Sequence, residues 1–221
     1  MVKLMKRDVR VLGINGSPRR QGNTYKLLTV ALRAAELEGA KVKALHIYDY
    51  DIKPCTGCLS DDIKSCKYPC VIEDDMKKLY EEVLKADGII ISSPVYWFSV
   101  PGQLKNFIDR LTVFENMIYI DGRCWTEGKV AGVIAAGADS GQVQLISVLF
   151  ATLNSMGFII PPWALAYTVG EDAMKQENTL ADAANVGRAV ALMAKLIDRD
   201  IEWYDPSLKG RLLKRPEVKK A

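Results

Sequence analysis

The sequence predicts an α/β fold in three layers: a doubly wound, five-stranded parallel sheet of order 2-1-3-4-5 with helices on both faces. Three observations carry this. Apolar runs alternate with amphipathic helical stretches from Val9 to Asp198. Gly88 to Ser92 reads GIIIS, the continuous apolar run of a central strand covered on both sides. The two chemically distinctive loops, Gly13 to Thr24 and Pro94 to Phe98, follow the first and third runs, where a 2-1-3-4-5 sheet opens its crevice.

The elements follow in order. Val9 to Ile14 is a β-rich run, and the helix after it spans about Thr24 to Glu38 and stops at Gly39. Lys41 to Ile47 alternates as a second strand. Met76, Leu79, Tyr80, Val83 and Leu84 share one helical face, with Glu73, Asp74 and Asp75 placed to favour that helix's N-terminal dipole. After the GIIIS strand, Pro101 suits a first helical turn, and Leu104, Phe107, Ile108 and Leu111 form a buried stripe. Lys129 to Ala136 is a fourth strand ending in the small-residue loop AAGADSGQ. A helix from about Gln142 to Met156, a fifth strand near Phe158 to Ile160 and a last helix from about Leu180 to Asp198 complete the count.

A chain of 221 residues, 49% hydrophobic, suits one domain, read as 1–200, with 201–221 as a C-terminal tail. Trp203 and Tyr204 in that tail suit docking on a partner subunit. A net charge of +3 gives no argument for nucleic acid. No segment reaches the roughly 20 apolar residues of a membrane span. Four of the five cysteines crowd between Cys55 and Cys70, where disulfides would close only tiny loops, so a reducing cytoplasmic location is expected.

The first loop, GINGSPRRQGNT, is neither a GxGxxG fingerprint nor a Walker loop. Hydroxyl, amide and backbone N–H donors at a helix start, with Arg19 beside them, can hold a phosphate. The aromatic junction Pro94 to Phe98 suits a planar ring, so the pair of loops points to a nucleotide-like cofactor. Trp97 and Phe98 also suit plain core or subunit contacts. His46, the single histidine, is read as structural, and no GxSxG elbow is present.

Cys55, Cys58, Cys66 and Cys70 stand as C-x2-C-x7-C-x3-C in a loop, 53–72, inserted after the second strand. Four thiolates at this spacing can satisfy a [4Fe-4S] cluster or a tetrahedral zinc, and unliganded cysteines are a third alternative. Cys124 stands apart.

GSPRRQGNT, PCTGC, EDDM and SPVYWFSVPGQLKNFIDR together resemble the NAD(P)H-dependent FMN reductases of the flavodoxin-like superfamily, iron-sulfur flavoprotein branch. The resemblance spans about Val9 to Met156. It implies that Ser17, Arg19, Gly22, Asn23 and Thr24 bind the FMN phosphate. Pro94, Val95, Tyr96, Trp97 and Phe98 would form the wall along ribityl chain and ring, with Ala136, Gly137 and the small residues up to Gly141 near the other ring edge. It further implies NAD(P)H as a transient donor, a quinone, flavin or other small acceptor, ferredoxin as donor where a cluster is present, and a homodimer or homotetramer. The cysteine spacing is wider than that branch's compact pattern, because LSDDIKS separates the second and third thiols. Two rivals are a non-enzymatic, flavodoxin-like electron carrier and a zinc-stabilised binding module.

Overall fold

A computed structural model describes residues 8–170, 172–198 and 201–213. Residues 214–221 of the expected tail lie outside the described residues. The strands are β1 (Arg10–Asn15), β2 (Lys41–His46), β3 (Gly88–Pro94), β4 (Val130–Gly137) and β5 (Leu165–Val169). They form one all-parallel sheet in the order β2-β1-β3-β4-β5. The helices are α1 (Asn23–Leu37), α2 (Met76–Lys85), α3 (Gly102–Arg110), α4 (Thr112–Glu115), α5 (Gln142–Ser155), α6 (Glu177–Leu196) and α7 (Leu208–Leu213).

The period-2 rule divides the sheet's side chains between two cores. Ile89, Ile91, Ala131, Val133 and Ala135 meet Leu79 and Val83 of α2, Leu104 and Phe107 of α3, and Leu145 and Leu149 of α5. On the other face Ile90, Val130 and Ile134 meet Leu27, Leu28 and Ala31 of α1 and Val186 and Val190 of α6. The two helices of this second layer cross at Gly187, where a Cβ would stand 1.8 Å from the Ala31 carbonyl oxygen, so only glycine permits that approach.

The fifth strand differs from expectation. Phe158 to Ile160 makes only an isolated bridge, Val130 with Ile159, and the strand itself is Leu165–Val169. Pro161 and Pro162 have no N–H to continue a ladder, which ends the first approach. Pairing with β4 resumes at Leu165. The pattern there hides the strand from a reader of hydropathy: Ala166 and Thr168 point inward, while Leu165, Tyr167 and Val169 stand on the exposed side of the sheet edge.

Residues 201–213 are exposed throughout, yet end in the short helix α7, which the sequence's lack of a clean period did not suggest. The backbone N–H of Tyr204 donates to Glu127 on the body of the domain at 3.1 Å.

Candidate cofactor cleft and cysteine loop

The carboxyl ends of β1, β3 and β4 open into a cleft of about 290 Å³ lined by Ser17, Arg19, Gly22, Asn23, Thr24, Pro94, Val95, Tyr96, Ala136, Gly137, Ala138 and Gly170. Ten of these positions are site residues of the sequence reading and Ala138 lies in its third, small-residue loop; Gly170 is an addition. Gly170 escaped notice because it terminates the misplaced fifth strand, and its N–H donates to the Gly137 carbonyl at 2.8 Å. Trp97 and Phe98 do not line this cleft.

The first loop is pinned from beneath. The Gly16 N–H donates to the Ser92 carbonyl, and the Ser92 hydroxyl to the Thr24 carbonyl, both at 2.8 Å. The buried Asn15 side chain donates to His46 Nδ1 at 2.8 Å and accepts from the Ser17 N–H at 3.3 Å. Burial holds His46 below its ordinary pKa, with Arg20 acting in the same direction and Asp49 opposing. A neutral imidazole keeps Nδ1 free to accept from Asn15. Arg20 also pairs with Asp49, tying the loop to the turn after β2.

At the start of α1, Gly22 provides no side-chain cap. Thr24 is only 2% exposed, and its hydroxyl oxygen has no hydrogen-bond partner. A buried unsatisfied hydroxyl costs about 1–3 kcal/mol. Beside an uncapped helix N-terminus, a phosphate group answers both deficits. These residues therefore fit a phosphorylated cofactor.

The second wall carries an unusual turn. Tyr96 and Ser99 exchange backbone hydrogen bonds at 2.8 and 3.1 Å, and the two residues between them, Trp97 (φ 49°) and Phe98 (φ 63°), are both left-handed. This is the signature of a type I′ turn, whose central positions favour Asn and Gly. For bulky side chains the conformation costs about 1–2 kcal/mol per residue. Phe98 packs over Gly141 at the head of α5, where a Cβ would meet its ring at 2.9 Å. Trp97 is 93% exposed.

The cysteine loop leaves the sheet after β2. Its thiols are free: Cys55 is exposed, Cys58 and Cys70 half-buried, and Cys66 buried. Burial, with the nearby Cys58, Cys55 and Cys70, pushes the Cys66 thiol up to about 12. The four thiols thus share one neighbourhood. Among the described residues, no three His, Cys, Asp or Glu side chains are grouped to hold a single ion. Four thiols in one short loop fit a [4Fe-4S] cluster in donor type and number.

The loop is shaped by partners distant in sequence. The Asn116 amide donates to the carbonyls of Ile63 and Cys66, each at 2.7 Å. Tyr68 packs among Tyr80, Phe114 and Trp125, with ring centroids 5.3 to 6.0 Å apart. Asp74 accepts from the Met76 N–H at the start of α2 at 3.0 Å, in keeping with its expected place at that helix, and its side chain is also fully buried in an ion pair with Arg110 at 2.6 Å. Burial alone would raise its pKa; the Arg110 guanidinium and the N–H groups of Lys53 and Met76 outweigh that and hold the carboxyl below its ordinary range.

Comparison with known proteins agrees with this geometry. The NADPH-dependent FMN reductase family matches residues 9–171. An iron-sulfur flavoprotein of Archaeoglobus fulgidus is 32% identical over 186 residues, covering 83% of this chain and 79% of that protein. Among solved structures, RosB with the bound intermediate 8-demethyl-8-formylriboflavin-5'-phosphate superposes with a TM-score of 0.78 at 18% identity, covering 96% of this chain and 92% of that one. An archaeal flavodoxin gives 0.58 at 13% identity, with 84% and 99% covered; at such identities the likeness concerns the fold. With most of its length inside the family match, the chain belongs to the NADPH-dependent FMN reductase family and is an FMN-dependent oxidoreductase of flavodoxin-like fold.

Proposed function

We propose that the protein takes electrons from NAD(P)H, or from a ferredoxin, and delivers them to a quinone, flavin or other small acceptor. FMN would sit in the strand-end cleft and a [4Fe-4S] cluster on Cys55, Cys58, Cys66 and Cys70. The observation that carries the reading is the orphaned Thr24 hydroxyl beside an uncapped helix N-terminus, in a cleft whose other wall is Pro94 to Tyr96. When bound, FMN supplies the hydride-accepting ring.

The chain's own residues bind and orient. Ser17, Asn23, Thr24 and the N–H groups at the start of α1 would hold the phosphate, with Arg19 adding charge. Val95 and Tyr96 would flank the ring plane, and Ala136 and Gly137 leave room for its far edge. A Cβ at Gly137 would stand 2.6 Å from Gln142 Nε2, so this wall admits only glycine without rearrangement. Trp97 and Phe98, held outward, suit a subunit contact in a homodimer or homotetramer that places aromatic surface near the cleft mouth. The name of the Archaeoglobus relative, an iron-sulfur flavoprotein, supports the cluster assignment. Free thiols suit a reducing, cytoplasmic compartment.

The test is anaerobic purification, an absorption spectrum with iron and sulfide analysis, and steady-state oxidation of NADH and NADPH with an artificial acceptor. The expected result is bound FMN, iron with sulfide, and turnover with at least one nucleotide. Absence of FMN after reconstitution overturns the reading. Bound FMN with negligible turnover favours an electron carrier, and one zinc per chain without flavin favours a binding module.

A further inference from the structure

The cysteine loop begins and ends against one side chain. Arg110, the last residue of α3, is buried, its side chain only 1% exposed. Its Nη1 donates to the Lys53 carbonyl at 3.1 Å, where the loop starts, and to Asp74 Oδ2 at 2.6 Å. Its Nη2 reaches the Ile72 carbonyl at 3.5 Å, where the loop ends, and Asp74 Oδ1 at 3.3 Å. Asp74 in turn accepts from the Lys53 N–H at 2.9 Å. Asp51 and Asp75 exchange bonds at 3.0 Å just outside this ring. One guanidinium thus clasps both ends of a twenty-residue excursion.

We propose that Arg110 is a positioning residue for the metal centre of the cysteine loop: it closes the loop's mouth through the Lys53 and Ile72 carbonyls. This rests on the assignment of a cluster to the four cysteines. A further contact steadies the clasp from behind: Tyr80 donates its hydroxyl to the Arg110 backbone carbonyl at 2.9 Å. A planar fork that engages two carbonyls and a carboxylate together cannot be replaced by the point charge of lysine.

Three variants test the clasp. Arg110→Lys keeps a cation and loses the fork, Arg110→Gln loses both, and the double variant R110Q/D74N secures a folded form by removing both buried ions. All are prepared anaerobically with iron, sulfide and FMN, and FMN content reports folding. The expected result is normal FMN content in all three, with iron released to a ferrous chelator about tenfold faster than from wild type. Iron release within twofold of wild type in the folded variants overturns the clasp. A wild-type protein that carries FMN yet takes up no iron and sulfide overturns the cluster assignment itself, and this proposal with it.

Discussion

The cofactor cleft and the cysteine loop flank the same end of the sheet but are held by different physics. The cleft is made by strand ends. Its loops leave β1, β3 and β4 in a register fixed by the sheet, so positioning the backbone positions the site. The cysteine loop has only two short helical turns of its own, Cys58–Ser60 and Ile63–Ser65. It takes its shape from side chains on α3 and beyond, chiefly Arg110, Asn116, Phe114 and Trp125. A strand-end site is positioned by the backbone, whereas a site built on borrowed side chains loosens when one partner is removed.

The largest effect should come from breaking the ion pair at the loop's mouth. Asp74→Ala strands a buried guanidinium and should cost about 3–5 kcal/mol in denaturant unfolding. Because the folded Asp74 carboxyl lies below its ordinary pKa, its contribution is complete above the unfolded value of about 3.9 and is lost as pH falls through the folded value. Wild type should therefore lose stability in that acid range, and the variant should lose less. An equal acid response in both would contradict the assignment.

Asn116→Ala should cost about 1–3 kcal/mol by leaving the Ile63 and Cys66 carbonyls without this donor. Hydrogen exchange should accelerate in 53–72 while β1 and β3 keep their protection and FMN content is unchanged. Faster exchange across the whole sheet would show that the two regions are not independent.

These contrasts also explain what the sequence revealed. Ser17, Asn23, Thr24 and Val95 were legible because strand-end loops are local: a run of apolar residues announces the strand, and the site begins where it stops. Gly170 was not, since Pro161 and Pro162 displaced the strand that leads to it and the alternation of Leu165 to Val169 points large residues outward. The partnership of Arg110 with Asp74, 36 residues apart, leaves no trace in periodicity. Acidic residues before a helix read as dipole partners, and only the fold shows that one of them is buried against a guanidinium. Nor could spacing reveal that Trp97 turns away from the cleft, because the left-handed turn that carries it uses residues that seldom adopt that conformation.

On the cleft side, Thr24→Val should raise the flavin-free protein's stability by about 1–3 kcal/mol, since it removes a buried hydroxyl that has no partner there. It should weaken FMN binding about tenfold, the worth of one hydrogen bond at 1.4 kcal/mol. A large loss of flavin-free stability would make Thr24 a structural residue instead. Smallest of all, Trp97→Asn should raise the stability of the isolated chain by about 0.5–1 kcal/mol, because Asn accepts the left-handed backbone and the indole is exposed there. The same variant should weaken self-association in sedimentation; unchanged self-association would remove Trp97 from the subunit contact.

The account stands on the first loop gripping a phosphate. Calorimetric titration of flavin-free protein with FMN and with riboflavin, which differ by that group alone, tests it directly. FMN binding at least a hundredfold tighter than riboflavin is the predicted result; equal affinity for the two, or binding of neither, would contradict it.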